Sequence, residues 1–474
     1  MEDVSFESEI SKTFSAQKSN AILLRESTSS QRIQQLEKLG DWIKSHQEDI
    51  RKAIHADFKK PYAEIDISEI FTVTSEIKYA IKNLKDWMKP KKVSAPIPLL
   101  GTSSYVQFEP KGNALIIAPW NYPFNLAIGP LVSALAAGCT AIIKPSEMTP
   151  HASALIRRMV GEIFEPELVA VFEGDVEVSQ YLLTKPFDHI FFTGSPAVGK
   201  IIMKAAAENL SSVTLELGGK SPAIIDRDID LQDATSKIIW GKFVNCGQTC
   251  IAPDYLLVHE DIIEAFVEAL KAELHKMYDP KNKGIENSKD YARIVNEKHL
   301  NRINFLLADA LTNGAHIAFG GRMIASGNFF EPTIITGVTD SMEVMQEEIF
   351  GPILPIVSYS DLDSAIKYVN SKPKPLALYA FSNNQEALDR VFSKTSSGGA
   401  VANDCVLHFL HHELPFGGIN NSGIGKAHGH HGFLAFSNEK AVLKQRTGIT
   451  SSKSLFPPYG FAAKKIIQVM LKWF

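Results

Sequence analysis

Two side chains in this chain can do covalent chemistry together. Cys250 stands in FVNCGQTCIAPD, Phe243 to Asp254, and Glu216 stands in LELGGKSP, Leu215 to Pro222. A thiol and a carboxylate are the groups needed to make a thioester and then hydrolyse it. Each residue alone has a plainer reading. Most single cysteines are buried structural thiols. Glu216, between two leucines at a strand end, is either a surface carboxylate or a pocket base. Cys246, four positions before Cys250, adds a metal pair or a redox disulfide to the readings. Zinc needs two further ligands at suitable spacing. His411-His412 and His428-Gly429-His430-His431 do not supply them, so no metal site is expected.

Other segments could position a reacting partner. APWNYPF, Ala118 to Phe124, closes an apolar run. Its Asn121 is a turn residue or an amide aimed at a developing oxyanion. In FTGSPAVGK the glycines Gly194 and Gly199 flank Ser195 at a strand-to-helix turn. Such a turn admits a pyrophosphate close to backbone N–H groups. The spacing is Gly-x4-Gly, not GxGxxG, and the motif by itself is weak. KPSEMTP puts Lys144 and Glu147 after the run TAIIK, suited to ribose hydroxyls. EEIFGPILP offers Glu348 and Phe350 on one side of an extended run, suited to a nicotinamide ribose and ring. Trp120, Tyr122 and the stretch His408–His412 are candidate substrate-pocket walls.

The elements that must hold these groups follow from periodicity. Ile33, Leu36, Leu39, Trp42, Ile43 and Ile50 recur at helical spacing, as do Ile65, Ile70, Val73, Ile77 and Ile81. Two long amphipathic helices are therefore expected to open the protein. Pro90, Pro96 and Pro98 predict an extended linker after them. Strand-like runs then appear at 114–118, 140–144, 168–174 and 189–194, separated by helices over 124–137, 151–164, 176–183 and 196–208. Apolar strands alternating with helices indicate a parallel sheet. A second such series runs from about Glu216 to Val401. The fold class is α/β.

The chain has 474 residues, 45% hydrophobic, with net charge −4, and no basic stripe suggests nucleic-acid binding. Four cysteines form no disulfide framework, and a reducing compartment, the cytoplasm, is expected. The first residues, MEDVSFESEISK, lack the apolar core of a signal peptide. No run approaches the ~20 apolar residues of a membrane span. The tail AAKKIIQVMLKWF, Ala462 to Phe474, reads as an amphipathic helix. It either packs on protein or makes weak peripheral membrane contact.

Taken in order, APWNYPF, KPSE, FTGS-x3-G, LELGGKSP, GQTC, EEIFGP and PFGGINNSG resemble the aldehyde dehydrogenases. MQEEIFGP, GKFVNCGQTCIAPDY and KPLALYAFS make the resemblance one to the short, class 3 type, whose substrates are fatty or aromatic aldehydes. The resemblance implies NAD, or NADP, as cofactor and oxidation of an aldehyde to an acid. It implies Cys250 as nucleophile, Asn121 as oxyanion donor and Glu216 as the base that activates water. It places Trp120, Lys144, Glu147, Gly194, Ser195, Gly199, Glu348 and Phe350 at the cofactor. The implied organisation is a Rossmann-like NAD(P)-binding domain (1–100 and 113–215) and a catalytic α/β domain (216–410). A β-hairpin oligomerisation arm (101–112 and 411–447) and an amphipathic tail (448–474) complete it. A homodimer is implied. A catalytically silent member of the fold and a coenzyme A-acylating enzyme are the alternatives. Glu216, which acylating relatives lack, weighs against the second.

Overall fold

The computed structural model describes residues 5–96, 99, 101–448 and 450–473. Pro98 of the expected linker and Phe474 of the expected tail lie outside the described residues. A six-stranded sheet has the order Gly423–Ile424, Ser212–Leu217, His189–Gly194, Asn113–Ile117, Thr140–Lys144, Val169–Val171. It is parallel except at Gly423–Ile424. Strands 113–117 and 140–144 are buried along their whole length, which is why they read as continuous apolar runs. The crossover helices are Asn125–Ala137, Pro150–Ile163, Val176–Leu183 and Pro196–Glu208. Strand order reverses between Asn113–Ile117 and His189–Gly194. A doubly wound sheet opens a ligand crevice at the carboxyl ends of the strands there.

The second sheet has seven strands, in the order His316–Phe319, Thr333–Thr336, Ile353–Tyr359, Tyr255–His259, Pro222–Ile225, Ala377–Phe381, Gly399–Ala402. Only its His316–Phe319 edge is antiparallel. Glu216 lies on the last parallel strand of the first sheet. The chain passes to the second sheet through residues 218–221.

The opening of the chain differs from expectation. A helix, Phe6–Leu24, comes first and packs Ile10 and Phe14 against the six-stranded sheet. Its buried face also carries Gln17, which donates to the carbonyls of Ala141 (3.0 Å) and Pro166 (2.9 Å). A polar residue at the centre of the apolar stripe hides the period. The next pattern is broken at His46 into helices Ser29–Ser45 and Gln47–Phe58. The pattern from Ile65 is one helical rod, Tyr62 to Trp87, with a wide π turn at Asp66–Phe71.

Lys91–Val93, expected in the linker, is a strand. It makes the hairpin with Ser103–Pro110, and Ser437–Lys444 adds the third, outer strand. The arm is thus a three-stranded antiparallel sheet with two exposed edges. The tail forms a helix, Phe461–Trp473, with Phe461, Val469 and Leu471 exposed. No helix among the described residues is long and apolar enough to cross a membrane.

Candidate active site

Helix Leu231–Phe243 delivers the chain into the loop that bears both cysteines. Asn245 (φ 55°), Cys246 (φ 57°) and Gly247 (φ 74°) are successive left-handed residues. Non-glycine residues in that region cost about 1–3 kcal/mol each, so neighbours must enforce it. The Asn245 amide donates to the carbonyls of Asn121 (2.9 Å) and Gln248 (3.1 Å), and its N–H donates to Glu64 (2.9 Å). The Gln248 amide donates to the carbonyls of Asn245 and Arg293, both 3.0 Å, and accepts the Val295 N–H at 3.0 Å. The Cys246 thiol is fully buried against the Tyr291 hydroxyl at 3.2 Å. Burial pushes its pKa up to about 12. Cys246 therefore anchors the loop, while Cys250, half-buried, faces a cavity. All four cysteines are unpaired. Among the described residues no group of three or more His, Cys, Asp or Glu is arranged to hold a metal ion.

The cavity, about 80 Å³, is walled mainly by apolar side chains. Leu126 and Pro130 come from helix Asn125–Ala137, Ile251 from the cysteine loop, Leu376 from just before strand Ala377–Phe381, and Val406, Phe409 and Phe416 from the segment after strand Gly399–Ala402. Of the anticipated walls, Tyr122 and Phe409 line it. Trp120 instead packs edge-on against Phe350 (5.3 Å between ring centroids) and near His299 (5.0 Å). Nothing in local sequence marks Leu376, Val406 or Phe416, because only the tertiary fold brings them to Cys250.

Glu216 faces this cavity and is buried. Neither carboxylate oxygen has a hydrogen-bond partner among the described residues. Buried polar groups are normally paired, so this carboxyl is placed to bind something that enters. Burial raises its pKa to about 8, with the Lys426 charge opposing. The Cys250 thiol is also pushed up, first by burial and then by the charges of Glu348 and Glu216. The groups that favour its thiolate are the backbone N–H groups of Cys250 and Ile251. They do not outweigh burial, and the thiol's pKa stays raised.

Asn121 is buried and its amide donates to the Gln248 carbonyl at 3.0 Å, two residues before Cys250. The second N–H of that amide has no partner among the described residues. Tyr122 bonds Thr249 through their hydroxyls at 2.7 Å. Beneath it Lys60 Nζ sits 3.7 Å from the Tyr122 ring centroid and 2.9 Å from Glu69, both charges fully buried. Glu69 also accepts the Asn125 N–H at 2.8 Å. Removing one member of a buried pair leaves the other charge uncompensated. Lys60→Met is expected to destabilise the fold by about 3–5 kcal/mol. Chemical denaturation measures this, and a loss below about 1 kcal/mol would show that the pair is not holding Tyr122.

The expected cofactor residues gather along the carboxyl ends of the six-stranded sheet. Lys144 ends its strand, pairs in register with Ile117, and holds Glu147 at 2.9 Å. Ser195 caps helix Pro196–Glu208, accepting from the Val198 N–H at 3.4 Å. A side chain at Gly199 would lie 2.7 Å from Leu217, so this glycine serves close helix–strand packing. Gly218 is a glycine for a different reason than a tight turn. A Cβ there would strike the Glu348 carboxylate at 2.0 Å. Glu348 has its pKa raised to about 8, by burial and the Asp254 charge. Glu348 and Phe350 do not share one side of an extended run, because Phe350 has φ 47° and turns the chain. The run is held by two cations that sequence reasoning missed. Lys220 donates to the carbonyls of Val344 (2.8 Å) and Glu347 (3.0 Å), and Arg302 to those of Glu348 (3.3 Å) and Ile349. A crevice at the strand reversal, a helix N-terminus opening onto it, and a Lys–Glu pair at a strand end fit a dinucleotide.

The family model for the aldehyde dehydrogenases matches residues 5–442, and the chain belongs to that family. These enzymes oxidise aldehydes to acids with NAD or NADP. Similarity to family 3 members puts it with the short, class 3 type. The 4,4'-diaponeurosporen-aldehyde dehydrogenase of Staphylococcus aureus is 46% identical, over 90% of this chain and 92% of that protein. The dimeric, NADP-preferring aldehyde dehydrogenase of Canis lupus familiaris is 42% identical, over 90% and 93%. The substrate-bound state of Staphylococcus aureus AldH superposes with a TM-score of 0.93 at 44% identity, covering 98% of this chain and 99% of that one.

Proposed function

We propose that the aldehyde enters the apolar cavity and is attacked by Cys250, with Asn121 and the Cys250 backbone N–H holding the oxyanion. The observation that carries this is the meeting, in one cavity, of the half-buried thiol and a buried carboxyl that has no hydrogen-bond donor among the described residues. Addition of the thiolate builds a thiohemiacetal. Asn121, tethered to Gln248, keeps one N–H to stabilise the negative oxygen. Bound NAD or NADP supplies the acceptor for the hydride that this carbon then gives up. Cys250 is left carrying the acyl group as a thioester. Glu216, once ionised, takes a proton from water, which releases the acid and frees the thiol.

Trp120, Lys144, Glu147, Gly194, Ser195, Gly199, Glu348 and Phe350 form the cofactor side of the site in this reading. Glu147 repels a 2′-phosphate and favours NAD, yet it is exposed, and loss of its pair with Lys144 would let it swing aside for NADP. The two sheets support a division between an NAD(P)-binding domain up to residue 215 and a catalytic domain from residue 216. The apolar walls suit medium or long aliphatic and aromatic aldehydes. The test is NADH and NADPH production across an aldehyde panel. We expect kcat/KM to rise with chain length from C2 and to be higher with NAD. A preference for short polar aldehydes would refute the substrate reading.

The exposed edges of the arm sheet seek pairing, so the chain is a homodimer. Four unpaired cysteines fit a reducing, cytoplasmic setting. The tail helix, with lysines beside exposed apolar residues, gives peripheral membrane contact. Sedimentation at dimer mass, and flotation with anionic liposomes that is lost on deleting 461–474, check both points. A monomer, or no flotation, refutes the corresponding one.

A further inference from the structure

A second set of reactive side chains lies outside the Cys250 site. On helix Thr72–Trp87, Ser75 Oγ is 2.7 Å from His412 Nε2, and His412 Nδ1 is 2.8 Å from Glu76. Glu76 is buried and its other oxygen accepts the Gly429 N–H at 2.6 Å. Burial works to raise the Glu76 pKa, but these hydrogen bonds and the His428 charge outweigh it and hold it below the ordinary carboxylate value. A carboxylate only accepts, so His412 carries its proton on Nδ1. Nε2 then presents a lone pair, and Ser75 donates its hydroxyl proton to it. This is the hydrogen-bond order of a serine nucleophile, a histidine base and an acid that orients the base.

Two observations separate this from a simple clamp. The neighbouring hydroxyls Ser68, Thr72 and Thr74 all turn back onto carbonyls of their own helix. Ser75 alone reaches across to another segment. It also lines a cavity of about 30 Å³ that adjoins the Cys250 cavity across Gly129, Phe409 and His428, with exposed Phe71 at its edge and Leu410 on its wall. Asn125 stands between the two cavities and lines both; its backbone N–H is taken by Glu69, and its side-chain amide makes no hydrogen bond within the described residues. That amide is a donor available to an oxyanion. A clamp needs neither a cavity nor an unused donor.

We propose that Ser75, His412 and Glu76 form a second, hydrolytic site that cleaves small acyl esters independently of Cys250. Ser75 Oγ bonds to the ester carbonyl carbon while its proton passes to His412 Nε2. The carbon–oxygen bond to the leaving group breaks, and the leaving oxygen takes that proton. Water then attacks the acyl-serine, gives a proton to His412, and the acid leaves as Ser75 regains its proton. No oxidant or cofactor enters.

The test uses the full-length Cys250→Ala enzyme, which removes ester hydrolysis at the thiol. Its hydrolysis of p-nitrophenyl butyrate is expected to exceed that of Cys250→Ala/Ser75→Ala at least about tenfold. A fluorophosphonate probe is expected to label the Ser75 peptide, with loss of fluoride. Neither Glu76 bond involves the Ser75 hydroxyl, so Ser75→Ala keeps the segment docked and leaves aldehyde oxidation unchanged. Equal hydrolysis in the two variants, or no label on Ser75, overturns the proposal.

Discussion

Replacing Cys250 with serine lowers kcat/KM for aldehyde oxidation by about 10⁴-fold or more, with the protein still folded. Only one atom changes, and Cys250 is half-buried at a cavity wall, so packing is hardly disturbed. A serine hydroxyl ionises far less readily than a thiol. The surroundings make this worse, because burial and the Glu348 and Glu216 charges oppose any anion at this position. The raised thiol pKa also makes the unmodified enzyme pH-dependent. Reaction of the free protein with iodoacetamide at Cys250 rises with pH across the neutral and alkaline range. Steady-state NADH production and mass-mapped alkylation measure the two effects. Activity within tenfold of the native enzyme would remove Cys250 from the nucleophile's role.

Glu216→Gln gives a burst of NADH of about one per active site, followed by turnover slowed about a thousandfold. The thioester still forms, because the thiol and Asn121 are untouched. It then accumulates, because the amide cannot take a proton from water. Rapid mixing records the burst, and intact-protein mass shows the acyl group on Cys250. Steady turnover at the native rate would refute the role of Glu216.

The raised pKa, about 8, sets the direction of two further effects. The base works ionised, so native deacylation rises as pH approaches 8 and levels above it, and Glu216→Gln lacks that rise. Stability moves the other way. Between about 4.5 and 8 the folded carboxyl keeps a proton that the unfolded chain has released. This group's contribution to stability therefore falls as pH rises through that window.

The elements around the site were legible because each buried strand is a short apolar run bounded by turn residues. Thr140–Lys144, His189–Gly194 and helix Pro196–Glu208 fall on their expected residues. Elements with a polar residue on the buried face were not legible, Phe6–Leu24 with its Gln17 being the clearest. Lys91–Val93 reads as charged linker because an exposed edge strand has no apolar face to show.

By itself the sequence determined the α/β class, the family, and the thiol and carboxylate that the chemistry needs. These are local properties, carried by short motifs and by the period of apolar residues. The tertiary structure decided which of two nearby cysteines faces the cavity, by turning three successive left-handed residues that bury Cys246 against Tyr291. It also decided that Glu216 stands in an apolar chamber with no donor among the described residues, and that Phe409, Phe416, Leu376 and Val406 wall it. Burial and the approach of distant segments fix those properties, and no short stretch of sequence contains them.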